Sequence, residues 1–263
     1  ILCYLLSTVS QTRRESVYLT YSQNNEDAVI EDIFKLIGFR SKRFVEFGFH
    51  CNENNSRNLI ENHNFKGLFI DSDINECLRA NHFYRKRDRD GQRLIKVRNY
   101  FLSKKNINVA INRHYEGEID FLSIDVDGVD LHLLDTINVI EPRVICIEYC
   151  ASIGKDRSVT VKYKDNFDRH KEHNSGMYCN ASLRATVNVM RKKGYKLVAT
   201  VFGLNALFVK NDEPMDEVSI DEAFESHHGR TKTMTQEEQY NIIKDLEWIN
   251  VNEKGEINNP LKL

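Results

Sequence analysis

Arg43-Phe44-Val45-Glu46-Phe47-Gly48, the polar stretch 53–64 and Gly67-Leu68-Phe69-Ile70-Asp71 decide how this chain folds. The outer two are short apolar runs, one ending on glycine and the other on a carboxylate, and they read as buried strands. The stretch between them carries Leu59 and Ile60 among polar residues and reads as a helix. Strand, helix and strand at this spacing form a right-handed crossover between parallel neighbours. Strands apolar on both faces lie under helices on both sides.

The alternation continues outward. Upstream, Val29, Ile30, Ile33, Phe34 and Ile37 recur at helical spacing, with Asn24-Asn25 as caps and Gly38 as the stop. Downstream come a helix from Ile74 to about Tyr84, a basic loop Arg85–Arg93, a third strand Leu94–Arg98 and a fourth, Ile119–Asp125. A helix over Val129–Val139 precedes a fifth strand, Arg143–Tyr149, introduced by Pro142. Residues 151–179 break the rhythm; they are polar and poor in aliphatics, and their length predicts a substrate or lid loop. Leu183, Val187 and Met190 mark another helix, closed by Gly194. Tyr195–Phe202 and Ala206–Val209 are joined only by Gly203-Leu204-Asn205, which requires an antiparallel hairpin. In the tail, Thr235 and Glu238 form a capping box before Ile242, Leu246 and Ile249. The expectation is an α/β fold: a seven-stranded, mostly parallel sheet with a C-terminal antiparallel hairpin, in a three-layer sandwich. Residues 1–210 form this domain with a helical lead-in, and 211–263 a helical tail packed on it.

Composition removes several function classes. The 263 residues hold 37 basic and 39 acidic side chains, so no basic excess exists to bind nucleic acid in bulk. A content of 41% hydrophobic and 29% charged residues argues against a disordered chain. Ile1–Leu6 is too short to span a bilayer and lacks the basic flank of a signal peptide, so no membrane span is expected in this chain. The chain starts without Met, which leaves room for an anchor upstream. Six cysteines, without Cys-x-x-Cys, argue against zinc and read as the reduced thiols of a cytoplasmic protein. Nothing in the pattern points to an oligomeric state.

The C-terminal ends of parallel strands share one edge, where ligands of open α/β sheets bind. Glu46, Asp71, Asp125 and Glu148 end strands one, two, four and five, so that edge carries an acidic rim suited to a cationic or hydroxyl-rich ligand or a metal. Gly48 lets the backbone approach a ligand, but His50 and Asn52 occupy positions where further glycines would complete a dinucleotide fingerprint, which disfavours a nicotinamide enzyme. Asp71 stands 25 residues beyond Glu46, where a carboxylate can accept from both hydroxyls of a ribose. Asp125 and Asp127 lie two apart and face the same side. So close a pair needs a cation or donor between them, and suits either a general base with a partner or, with Glu148, ligands for a divalent metal such as Mg²⁺. Asp130 reads as a helix cap. His170 and His173 in the long loop read as a solvated pair, or as a catalytic base or metal ligand carried over the edge. His227-His228 reads as surface. Basic residues crowd into 85–98 and 155–171, which admits a small anionic or sugar-phosphate acceptor.

Tyr21-Ser22-Gln23-Asn24-Asn25-Glu26-Asp27, followed by an apolar helix and Phe44-Val45-Glu46-Phe47-Gly48, resembles the opening of FkbM-like methyltransferases. Phe65–Asp71, Leu122–Gly128 and Pro142–Tyr149 look like the next three landmarks of that group, and Ala181-Ser182-Leu183, Lys193-Gly194-Tyr195 and Asn205–Val209 continue the likeness. It covers residues 20–210, and its specificity lies in order and spacing. The resemblance implies a Rossmann-like class I methyltransferase fold, S-adenosylmethionine as donor, and a hydroxyl of a sugar, sugar nucleotide or other small natural product as acceptor. It also implies cofactor contacts from Glu46 and Gly48 near the methionine part, Asp71 at the ribose and Asn99 and Tyr100 near the adenine. Asp125 and Asp127 would face the methyl group and the acceptor. Two departures stand out: the glycines missing after Gly48, and Asn180 where a glycine is more usual. The competing readings are a metal-dependent hydrolase using the acidic rim and a donor-binding module without turnover.

Overall fold

The computed structural model describes residues 21–85 and 93–258. The Ile1–Leu6 run, Cys3 and residues 86–92 of the basic loop lie outside the described residues. Helix α1 (Glu26–Ile37) leads into β1 (Arg43–Phe47), α2 (Arg57–His63), β2 (Lys66–Asp71), α3 (Ile74–Tyr84) and β3 (Ile95–Asn99). Then follow α4 (Ile107–Asn112), β4 (Gly117–Ile124), α5 (Asp130–Thr136) and β5 (Ile140–Glu148). The second half holds β6 (Val159–Val161), α6 (Arg169–Glu172), α7 (Leu183–Lys192), β7 (Tyr195–Val201), β8 (Asn205–Lys210), α8 (Ile220–Ala223), α9 (Gln236–Ile243) and β9 (Trp248–Asn250).

Seven strands form one sheet in the order β3-β2-β1-β4-β5-β8-β7, and β8 alone runs antiparallel to its neighbours. This is the Rossmann-like, mostly parallel sheet with a terminal hairpin that the sequence leads one to expect. The alternation of side chains along each strand builds two cores. Val45, Phe47, Leu68, Ile70, Leu122 and Ile145 face a layer that includes α4, α5 and α7. Phe44, Phe69, Val97, Phe121 and Val144 face α1, α2 and α3. The result is three layers. Helix α4, with Ile107, Ala110 and Ile111 inward, is one the sequence reading passed over.

Several local expectations are corrected. Neither Asn24 nor Asn25 caps α1 with its side chain; Asn25 takes a left-handed conformation, and the Glu26 carboxylate instead accepts from the Asn24 N–H at 2.8 Å. Pro142 lies inside β5, and this is tolerated because pairing with β8 begins only at Val144. The 151–179 segment is not a plain loop: it contains β6 and α6, and Met177–Ala181 is buried. What buries it is the tail. Strand β9 pairs with β6, Trp248 packs edge-on against Tyr178 at 4.8 Å, and Ser152 donates to Gln239 at 2.7 Å. Helix α9 has the expected capping box but ends at Ile243, so Ile249 serves a strand and not the helix face.

At the N-terminal end of the sheet, Arg143 on β5 is wholly buried. Its five N–H groups donate to both oxygens of Glu213 (2.7 and 2.9 Å), to Asp120 (3.1 Å) and to the carbonyls of Ile37 and Gly38 (3.0 and 2.7 Å). One side chain therefore ties together the end of α1, strand β4 and the turn after β8. Replacing Arg143 by Leu takes from two buried carboxylates their buried cation, leaving Asp120 the Arg40 and Lys42 N–H groups and Glu213 the Arg40 side chain; the expected loss is about 3 kcal/mol, read as a lower urea midpoint at unchanged slope.

Candidate functional site

The chain runs out from β1 to β2 and β3, then returns to β4 on the other side of β1. Their divergence opens a crevice between the C-terminal ends of β1 and β4. There the structure holds a cavity of about 770 Å³. Gly48, at φ +65°, makes it possible: a Cβ there would fall 1.4 Å from the Asp125 carbonyl oxygen.

One half of the cavity is built from β1, β2 and the turn after β3. Asp71 faces it with its carboxylate held by two backbone donors, Phe49 N–H at 3.1 Å and Asp73 N–H at 2.6 Å. Burial raises its pKa. Tyr100, Phe101 and Leu102 line the same half. Asn99 does not line the cavity; its amide donates to the carbonyls of Asp71 and Ser72 (3.0 and 2.8 Å) and so props the carboxylate's loop. Glu46 lines the cavity, but both of its oxygens are engaged by the N–H groups of Asn55 (3.0 Å) and Ser56 (2.9 Å) at the start of α2. Beside it stands Glu26, which the sequence reading did not single out, buried and bonded to Asn24 and Asn205. Its signal was available: an acid opening a helix just before strand one.

The other half is built from β4, β5 and the segments they support. Asp125, Asp130 and Glu148 each bring one oxygen within 4.8 Å of the others. Asp125 has no side-chain hydrogen bond among the described residues. Burial and the neighbouring charges of Asp130 and Asp127 push its pKa well up, and burial does the same for Glu148. Asp130 does not cap α5 as expected; it accepts from Val126 (2.8 Å) and Gly128 (3.0 Å) and ties the β4–α5 turn, with a pKa raised to about 6 by burial. Asp127, expected in the metal set with Asp125 and Glu148, is outside this cluster: it is exposed and paired with Arg169. Asn180 donates to Glu148, while its Oδ1 is buried without a partner.

His170 and His173, expected as catalytic groups, do not line the cavity. The His170 ring lies against Gly176, and His173 Nδ1 bonds the Ser175 hydroxyl at 2.7 Å. The histidines in the wall are instead His50 from the β1 turn and the tail pair His227 and His228. Proximity through the fold, invisible in spacing, brings the tail pair there.

No protein-family model matches this chain, and no curated protein matches it. Solved structures do. An O-methyltransferase from Bacillus cereus in complex with SAH is 12% identical, over 79% of this chain and 91% of that one, at a TM-score of 0.47. The methyltransferase domain of bacterial CtHen1 is 13% identical over 71% and 97%, at 0.44. Geranyl diphosphate C-methyltransferase from Streptomyces coelicolor is 12% identical over 73% and 80%, at 0.42. Likenesses of this size assign no residue role, and the roles must come from the cavity itself.

Glu46 is the clearest electrostatic feature of that wall, because burial raises its pKa from 4.5 to about 7. The folded chain therefore keeps a proton that the unfolded chain releases near pH 4.5, and this group's contribution to stability falls as pH rises toward and through 7. Glu46→Gln removes that loss. Between pH 5 and 8 the stability difference should move in the variant's favour by up to about 3 kcal/mol, measured by urea unfolding at both pH values.

Proposed function

We propose that this chain is an S-adenosylmethionine-dependent O-methyltransferase acting on a hydroxyl of a sugar, sugar nucleotide or other small natural product. The observation that carries the reading is the arrangement of one cavity. At one end is Asp71, a carboxylate pre-set by backbone donors to receive paired hydroxyls. At the other is Asp125, whose carboxylate has no side-chain hydrogen bond among the described residues. The order of motifs over residues 20–210 supports the narrower FkbM-like assignment.

The sulfonium of the donor already activates the methyl group, so the protein's tasks are in-line positioning and removal of the acceptor proton. Asp71 accepts the ribose hydroxyls, the Tyr100–Leu102 wall meets the adenine, and the close turn at Gly48 lets the backbone meet the methionine part. Asp125 takes the proton. Burial and the charges of Asp130 and Asp127 raise its pKa, which makes it a stronger base than an ordinary carboxylate. The donor set of Asp125, Asp130, Glu148 and the unpartnered Asn180 Oδ1 also fits a hard divalent cation such as Mg²⁺, which would lower the hydroxyl pKa.

Calorimetry with S-adenosylmethionine and S-adenosylhomocysteine tests the donor half. The wild-type protein should bind both, and Asp71→Ala should weaken binding roughly tenfold or more through loss of charge-assisted hydrogen bonds. Absence of binding by the wild type would overturn the reading. Mg²⁺ should raise the thermal midpoint of the wild type, EDTA should reverse this, and Asp125→Asn should abolish the response; a response unchanged in the variant removes Asp125 from any metal site.

A further inference from the structure

The cavity wall is not uniformly acidic. Its acids (Glu26, Glu46, Asp71, Asp125, Asp127 and Glu148 among them) stand on the sheet's strand ends and the segments beside them. Opposite, the tail contributes a run of its own, His227-His228-Gly229-Arg230, and Lys232. Arg169, the remaining cation in the wall, is neutralised by Asp127. Arg230 and Lys232 have no ion-pair partner among the described residues, and Arg230 donates to the Ser152 hydroxyl at 3.0 Å.

This stretch is built into the wall. His228 N–H bonds the Phe202 carbonyl at 2.9 Å, and the Tyr149 hydroxyl holds the Glu225 carbonyl at 3.1 Å. A Cβ on Gly203 would lie 2.4 Å from the Ser226 carbonyl oxygen, so glycine at that turn is what admits the tail so close. His227 Nδ1 accepts from the Arg230 N–H at 3.2 Å, which leaves Nε2 as the protonated nitrogen of the neutral ring. The wall therefore offers two cations without an ion pair among the described residues, and an imidazole N–H. Arg230 also sits beside Ser152, just past the end of β5, on the side of the cavity away from Asp71.

We infer that residues 227–232 form the acceptor subsite of this cavity and that the acceptor carries a phosphate group seated on Arg230 and Lys232. The inference rests on the methyltransferase reading for the word acceptor, but the anion site stands on the geometry alone. Arg230 and Lys232, two positive charges two residues apart in the tail and in no ion pair among the described residues, match a phosphate dianion better than a singly charged carboxylate, and an arginine supplies paired donors to its oxygens. A cavity of about 770 Å³ is at the upper end of the range for ligand pockets, about 300–1,000 Å³, and accommodates a second molecule beside a donor.

The test is calorimetric titration of inorganic phosphate, with acetate as the carboxylate comparison, in the presence and absence of S-adenosylhomocysteine. The wild type should bind phosphate more tightly than acetate. Lys232→Glu, at an exposed position, and Arg230→Ala should each weaken phosphate binding roughly tenfold while leaving S-adenosylhomocysteine affinity unchanged. The inference is overturned if phosphate does not bind, if both variants bind it as the wild type does, or if acetate binds equally well. Should S-adenosylhomocysteine fail to bind while phosphate affinity still depends on Lys232, the donor reading falls and the anion site remains.

Discussion

The closest approach in the molecule that matters for its chemistry is that of Gly48 to the carbonyl of Asp125. Asp125 N–H bonds Phe47 O at 3.0 Å, and Gly48 N–H bonds Ile70 O at 3.1 Å, so the ends of β1, β2 and β4 are locked at one level. Only a residue without a Cβ, free to take φ +65°, passes there. From that lock follow the crevice beyond it, the turn that hands its Phe49 N–H to Asp71, and the placement of Asp125 at the crevice mouth.

The two ends of the sheet treat buried charge in opposite ways. At the N-terminal end, Asp120 and Glu213 are matched by Arg143 with every donor used, an arrangement suited to holding the fold. At the C-terminal end, Glu46 and Asp130 are buried and Asp125 and Glu148 half-buried, with no comparable cation among them in the described residues, and their pKa values rise. Acids kept in this condition are costly to the fold, and perturbed groups of this kind cluster where ligands and protons are handled.

Much of the fold was legible in local pattern. Apolar runs ending on Gly48, Asp71, Asp125 and Glu148 mark strands by composition and their edge by topology, and the short Gly203-Leu204-Asn205 link admits only a hairpin. Local pattern misled where a partner distant in sequence sets the outcome. Residues 151–179 read as an open loop because what covers them, β9 and α9, comes from the far end of the chain. Asp127 and Asp130 lie elsewhere than spacing suggests: the turn after β4 takes a left-handed residue at Asp127, whose carboxylate pairs with Arg169, while that of Asp130 is held under the turn.

The sequence by itself determined the sheet, its crossovers and the acidic rim, because hydrophobic period and strand-end residue type are properties of a few neighbouring positions. The tertiary structure alone decided which groups meet across the cavity. It withdrew His170 and His173 from the wall and supplied His227, Arg230 and Lys232 to it, since the tail's path depends on the Gly203 turn and the β6–β9 pairing. Contacts between segments so far apart in the chain leave no periodic trace in it, because they are set by packing and not by spacing.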